Sequence, residues 1–226
     1  MKRREIKIED LANMIDHTEL HIDAKYGDIK RLCLEAEKYG FAAVAIYPVN
    51  VPLAASLLKD TGVKVAAAIA FHMGAYPTEL KVFETKDAIE KGAEEIDFVM
   101  NIGALKAKNY DLVRNDIRAV KDAAGDLVTK VILETYLLTN EEKRRACEIA
   151  KEAGVDFVKT STGFREKGAT VEDVKLMKEV VGDRIGVKAA GGIRSVDEAL
   201  SIIGAGASRI GTSSGVQIIE GFKKRA

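Results

Sequence analysis

Phe157-Val158-Lys159-Thr160-Ser161-Thr162-Gly163 sets a lysine inside an apolar run, directly before three hydroxyl residues and a glycine. The run is entered from Glu152-Ala153-Gly154-Val155-Asp156, which reads as a helix that stops on a glycine and turns into a strand. Lys159 therefore falls near the C-terminal end of a short buried strand. An ammonium there is costly as a spectator, because burial disfavours the charged form. A lone lysine of this kind can also snorkel to solvent or pair with an acid. A second one changes the balance: Gly186-Val187-Lys188-Ala189-Ala190-Gly191-Gly192 repeats the pattern one strand–helix unit later. Two cations on adjacent strand ends repel, so one is driven towards the neutral amine, the nucleophilic form.

The same helix–glycine–strand junction recurs along the chain. Tyr39-Gly40-Phe41-Ala42-Ala43-Val44, Lys91-Gly92-Ala93-Glu94-Glu95-Ile96 and Ala205-Gly206-Ala207-Ser208-Arg209-Ile210 share it. Working outward, the periodicity predicts a leading helix over 8–13. Strands follow at 14–18, 41–46, 63–71, 96–100, 129–134, 156–160, 185–189 and 207–211. Helices are expected at 26–39, 51–59, 78–91, 110–124, from Thr139, at 171–181, at 196–203 and from Ser213. Eight strands, each followed by a helix, predict an α/β fold: a (β/α)8 TIM barrel with a short extra N-terminal helix. The rival, an open doubly wound sheet, would carry a glycine-rich turn after its first strand, and this chain has none there. No linker-like stretch interrupts the pattern, so residues 1–226 are expected to form one domain.

Composition narrows the function classes. Lys and Arg total 35 and Asp and Glu total 35, so the net charge is zero and a polyanion such as nucleic acid is not an expected partner. No membrane-length apolar run or signal pattern is visible, so a cytoplasmic protein is expected. Cys33 and Cys147 lie in helical patterns without metal spacing and read as reduced packing residues. His17 and His21 stand four apart on a strand-to-loop segment, a weak metal signal, and no metal or cofactor is expected.

In a barrel, reactive groups sit at the C-terminal strand ends. Asp97 lies in an apolar strand, where it could hold a cation and relay a proton, or form a structural ion pair. Asp16 and Glu134 map to the same end and read equally well as hydrogen-bonded scaffold. Gly191-Gly192-Ile193-Arg194 follows the seventh strand, and Gly211-Thr212-Ser213-Ser214-Gly215 follows the eighth. Barrels commonly bind phosphate there, on backbone N–H groups and a helix N-terminus. Arg194 has an alternative partner in Asp197 or Glu198.

With these segments in view, the sequence resembles the deoxyribose-phosphate aldolases, a class I aldolase family. The likeness runs over nearly the whole chain. It includes Ile15-Asp16-His17-Thr18, Glu95-Ile96-Asp97, Asn101 through Lys106, Lys130-Val131-Ile132-Leu133-Glu134-Thr135, Phe157 through Phe164, Gly186 through Arg194 and Gly211 through Gly215. The resemblance implies that Lys159 forms a Schiff base, that Lys188 is its partner lysine and that Asp97 is the acid of the proton relay. It implies phosphate contacts at Gly163, Gly191, Gly192, Ser213 and Ser214. The substrate pocket would draw on Asp16, Thr18, Leu20, Ala45, Phe71 and Thr162. The implied reaction is reversible cleavage of 2-deoxyribose 5-phosphate to acetaldehyde and glyceraldehyde 3-phosphate. The partners would be phosphosugar and aldehydes, with homo-oligomerisation left open.

Departures gather early in the chain. Ala45 stands where the family often has cysteine, Ala70 through Pro77 replaces a Gly-Phe-Pro-Leu-Gly-Ala pattern, and Glu19-Leu20-His21-Ile22 replaces Leu-Leu-Lys-Pro. These positions are expected to rim the acceptor side of the mouth and to alter acceptor preference. Lys159 must fall from about 10.4 to around 7 to act as a neutral amine, with Lys188 and partial burial as the causes. A phosphosugar isomerase on the same barrel, or a non-catalytic barrel subunit, are the alternative readings.

Overall fold

The computed structural model describes residues 6–225. Short helix α1 (Ile8–Ala12) leads into β1 (Ile15–Glu19), followed by α2 (Tyr26–Tyr39), β2 (Ala43–Ile46), α3 (Val51–Leu58), β3 (Lys64–Ile69) and α4 (Thr78–Glu90). Next come β4 (Glu95–Val99), α5 (Ile102–Lys106), α6 (Tyr110–Ala124), β5 (Val128–Ile132) and α7 (Asn140–Ala153). The chain ends with β6 (Phe157–Lys159), α8 (Val171–Val181), β7 (Gly186–Ala190), α9 (Val196–Gly204), β8 (Arg209–Thr212) and α10 (Gly215–Lys223). The eight strands close in sequence order, and β8 pairs parallel to β1 through Asp16↔Gly211. This is the TIM barrel with its extra N-terminal helix.

Local chemistry sets the boundaries. Helices α2 and α7 stop where Gly40 (φ 67°) and Gly154 (φ 82°) take the left-handed conformation that ends a helix. Thr139 opens α7 with a reciprocal capping box to Glu142. Helix α5 is not visible in the periodicity, because five residues are too few to show it; Asn101 starts it by accepting from the Ala104 N–H at 3.0 Å. The last helix begins at Gly215 rather than Ser213. The Ser214 N–H instead donates to Thr212 Oγ1 at 2.9 Å, which holds residues 212–214 in a turn.

The strands separate two environments. Val44, Ile46, Val65, Ala67, Ile69, Ile96 and Phe98 face outward and join one apolar layer with the helices. Alternate residues face inward, and Ala43, Ala45 and Ala66 form a small cluster apart from that layer. Branched apolar side chains usually fill such an interior. Here much of it is ionic, and the alanines on β2 and β3 leave room for long side chains reaching from the other strands.

A second buried ion pair braces the outer shell. Lys81 on α4 donates to Asp116 on α6 at 2.6 Å and to the Val99 carbonyl at 3.0 Å. Thr78 Oγ1 donates to the other Asp116 oxygen at 2.9 Å. The pair thus ties two helices to the C-terminal end of β4, the strand that carries Asp97. Lys81→Met strands a buried carboxylate and is expected to cost about 3–5 kcal/mol in urea unfolding. The paired Lys81→Met/Asp116→Leu variant is expected to recover most of that loss. Equal losses in both variants would show that the ionic contact is not what matters.

Candidate active site

Six charged side chains inside the barrel close into an alternating ring. Asp97 on β4 accepts from Lys188 on β7 at 2.6 Å and from Lys130 on β5 at 2.7 Å. Lys130 also donates to Glu95 at 2.6 Å. Glu95 receives Arg209 on β8 at 2.6 and 2.7 Å, and Arg209 Nε reaches Asp16 on β1 at 2.6 Å. A hydrogen bond from Lys188 to Asp16 completes the circuit. Lys159 on β6 is a seventh member, attached at one point: its Nζ donates to Asp97 Oδ2 at 2.7 Å, the oxygen that already accepts from Lys188. The register makes this possible, since Lys159 is aligned with Lys188 and Asp97 with Lys130.

The electrostatics follow from burial and pairing. Burial alone would raise the two aspartates. Lys130, Lys159 and Lys188 nevertheless hold Asp97 well below the usual carboxylate range, and Lys188, Lys130 and Arg209 lower Asp16. Burial would discharge Lys130, but Asp97, Asp16 and Glu95 raise it and keep it an ammonium. Lys159 goes the other way. Burial pushes it down to about 8, Asp97 opposes, and Lys188 adds a smaller push downward. Burial, rather than the neighbouring lysine, is therefore the largest cause.

Above the ring lies a cavity of about 350 Å³, with Lys159 in its wall. Thr18, Leu20, Thr162, Gly163, Gly191, Gly192 and Ser213 line it as well. Its far wall is held by close backbone packing. Gly191 (φ 89°) lies against Gly168, and a side chain at Gly168 would overlap the Gly191 carbonyl. Ala169 N–H donates to the carbonyls of Ala190 and Gly191, so the loops after β6 and β7 form one surface. Glu198 accepts from the backbone N–H groups of Arg194 and Ser195, and Arg225 takes Asp197. The Arg194 side chain is exposed and borders the cavity.

Other expected pocket residues sit elsewhere. Asp16 is fully buried in the ring, as Lys188 and Asp97 are, beneath the cavity rather than in its wall. Ala45 aligns with Thr18 across β1–β2 but is only 2% exposed, packed with Ala43 and Ala66 below the opening. It does not rim the mouth, because one methyl group on an inward strand position is too short to reach it. Ser214 faces a neighbouring cavity bounded by His17, Glu35 and Gln217. Phe71 joins an aromatic cluster at the mouth: its ring lies 5.4 Å from Phe164, and His72 stacks on Phe164 at 4.9 Å. Of that cluster only Phe164 borders the cavity. Glu134, at φ 55° beyond β5, accepts from the Thr162 hydroxyl at 2.5 Å and so fixes that wall. The two histidines diverge, His17 pairing with Glu35 and His21 with Glu19.

Three ring members escaped the sequence reading: Lys130, Glu95 and Arg209. The signal was present. Thr129-Lys130-Val131-Ile132 puts a lysine in an apolar strand, as the segment around Lys159 does.

Comparison with known proteins gives a consistent result. Residues 11–221 match the DeoC/LacD family of aldolases. The chain is 58% identical to the deoxyribose-phosphate aldolase of Clostridium perfringens strain SM101, over 94% of this chain and 96% of that one. It is also 58% identical to the enzyme of that name from Thermococcus gammatolerans, over 95% and 97% of the two chains. Among solved structures, the fold matches an aldolase called QR15 with a TM-score of 0.91 at 43% identity, covering 96% of this chain and 97% of that one. The deoxyribose phosphate aldolase of Aeropyrum pernix, described as a unique tetrameric structure, matches with a TM-score of 0.89 at 35% identity, covering 97% and 94%.

Two measurements follow from the geometry. Competitive labelling with trace acetic anhydride, with Lys159 read by mass spectrometry, is expected to rise with pH through a midpoint near 8 as the ammonium loses its proton. A midpoint at the ordinary lysine value would contradict the burial argument. Burial pushes Cys33 up to about 11 and Cys147 up to about 12. Both thiols are therefore expected to resist a disulfide reagent at pH 8 in the native protein and to react once it is unfolded.

Proposed function

The chain belongs to the DeoC/LacD family of aldolases, and on that footing we propose that it reversibly cleaves 2-deoxy-D-ribose 5-phosphate to acetaldehyde and D-glyceraldehyde 3-phosphate through a Schiff base on Lys159. The observation that carries this reading is a buried amine at the wall of a cavity that is also lined by Gly163, Gly191, Gly192 and Ser213, with burial pushing that amine down to about 8.

In this reading the neutral Lys159 amine adds to the aldehyde carbon of the open-chain sugar. The carbinolamine loses water and becomes an iminium. The C3 hydroxyl gives up its proton, the C2–C3 bond breaks, and its electron pair moves into the iminium to leave an enamine. Glyceraldehyde 3-phosphate departs. The enamine takes a proton at carbon, and hydrolysis releases acetaldehyde and the free amine. Asp97 and Lys188, which share the oxygen that Lys159 contacts, are assigned the proton movements. Gly163, Gly191, Gly192 and Ser213 are assigned to the phosphate, with the N-terminus of α10 behind them and Arg194 within reach at the rim. Ser214 serves as the cap residue of that helix.

Acceptor preference is assigned to Leu20, His21 and Phe164, which border the cavity and fall in or against the segments that depart from the family pattern. Residues 1–226 act on this reading as one domain in the cytoplasm. They take small phosphosugars and aldehydes and self-associate, as the Aeropyrum pernix enzyme is described as doing.

Borohydride reduction in the presence of acetaldehyde is expected to give one stable adduct, mapped to Lys159. Lys159→Leu is expected to fold, since leucine suits an apolar strand position, and to lose the adduct together with more than about 1,000-fold in kcat. Activity without any adduct would favour an isomerase. An adduct on Lys188 in the variant would move the nucleophile.

A further inference from the structure

The ring and its seventh member differ in how their charges are matched. Lys130, Lys188 and Arg209 each reach two carboxylates at hydrogen-bonding distance, and Lys130 also lies 3.7 Å from Asp16 across the ring. Asp16, Glu95 and Asp97 each touch two of those cations within hydrogen-bonding distance. Fully ionised, the ring is neutral: three cations against three anions. Lys159 is the surplus, and its one carboxylate oxygen is shared with Lys188. Arg209 and Glu95 close the ring on the side away from the cavity, and neither borders it. Their side chains are 13% and 7% exposed, and Arg209 lies 5.9 Å from the Phe157 ring at the start of β6.

We propose that Arg209 and Glu95 are positioning residues for the Lys159 amine: by closing a neutral ring they leave Asp97 fully matched, so that Lys159, whose carboxylate oxygen is shared with Lys188, has no carboxylate of its own. They touch no substrate. They act through Asp16 and Lys130, which hold the two ends of the Lys188–Asp97 pair. The charged groups that act on Lys159 directly are Asp97 from β4, Lys188 from β7 and Lys130 from β5; Asp16 from β1, Glu95 from β4 and Arg209 from β8 pair with those groups, and Glu134 beyond β5 is bonded to Thr162. His21 and Arg194 stand across the cavity.

The sign of each substitution is fixed by this arithmetic. Arg209→Gln leaves the ring one positive charge short, so that the Lys159 ammonium completes the balance and is retained. Glu95→Gln leaves the ring with one positive charge too many, so that the ammonium is expelled more readily. A group that only held the barrel together would lower the rate in both variants without moving the titration in opposite directions.

This inference deepens the aldolase reading, but the amine can be titrated without substrate. The experiment is competitive labelling of Lys159 with trace acetic anhydride across pH, on the full chain, beside the pH dependence of iminium trapping with acetaldehyde. Arg209→Gln is expected to move the labelling midpoint up by about one unit and Glu95→Gln to move it down by about one unit, each a roughly tenfold change in free amine below the midpoint. The paired Glu95→Gln/Arg209→Gln variant removes one charge of each sign and is expected to return near the parent, as is Arg209→Lys, which keeps the charge. Glu95→Gln preserves shape. If Arg209→Gln does not fold, the downward shift of Glu95→Gln and the return in the paired variant decide alone. Shifts of the same sign, or a midpoint unmoved by Glu95→Gln, overturn the proposal. A parent that labels as expected but traps no iminium would sink the aldolase reading and leave the ring standing.

Discussion

One carboxylate receives three ammonium groups. Asp97 lies between Lys130, Lys159 and Lys188, inside a barrel from which water is largely excluded. Burying that many charges is tolerable only because each has a partner at hydrogen-bond distance, since desolvation would otherwise exceed the Coulombic return. The closed sheet supplies the geometry. Parallel strands in fixed register set inward side chains at known heights, so residues far apart in sequence, such as Asp16 and Lys188, meet without any flexible segment between them. A loop could not hold such a cluster to this tolerance. The reactive amine is thus a property of the scaffold as much as of its own strand.

The cavity wall depends on the same rigidity in another way. The loops after β6 and β7 meet through Gly163, Gly168 and Gly191 with no side chain between them. Glycine suits this place because the backbones must touch and because Gly163 and Gly191 have positive φ. The resulting surface lines the cavity with the backbone of Gly163 and Gly191. Thr212 braces it from beneath by donating to the Ile193 carbonyl at 2.6 Å.

Most of the architecture was legible in the sequence, because its signals are local. A glycine that ends a helix, an apolar run and a capping residue each reveal themselves within a few positions. The same logic found Lys159, Lys188 and Asp97, each a charge set in an apolar strand. It passed over Lys130, although the identical signal was there, and over Arg209 and Glu95, whose neighbours are less apolar. What a single strand cannot show is pairing. That Arg209 spans Asp16 and Glu95 depends on which strands adjoin and on the side-chain reach across the interior. Side-chain depth was equally hidden. The resemblance places Ala45 and Asp16 in the substrate pocket, and Asp16 also maps near a C-terminal strand end, but only the closed barrel shows both below the opening. Helix α5 was missed for a simpler reason, being shorter than two turns.

The alanines of β2 and β3 have a meaning for anyone reshaping this barrel. Ala43, Ala45 and Ala66 form a wall with almost no reach, opposite strands that carry the longest side chains in the interior. The enclosed volume is thus shared unequally, with one half yielding space and the other filling it. A bulkier group at any of these alanines would take up interior space beside the long charged side chains of the other strands. All three lie below the opening, so the change would be felt inside the barrel rather than at its entrance. For directed evolution, this stretch of wall governs the room inside the barrel, although its residue types look like inert filler.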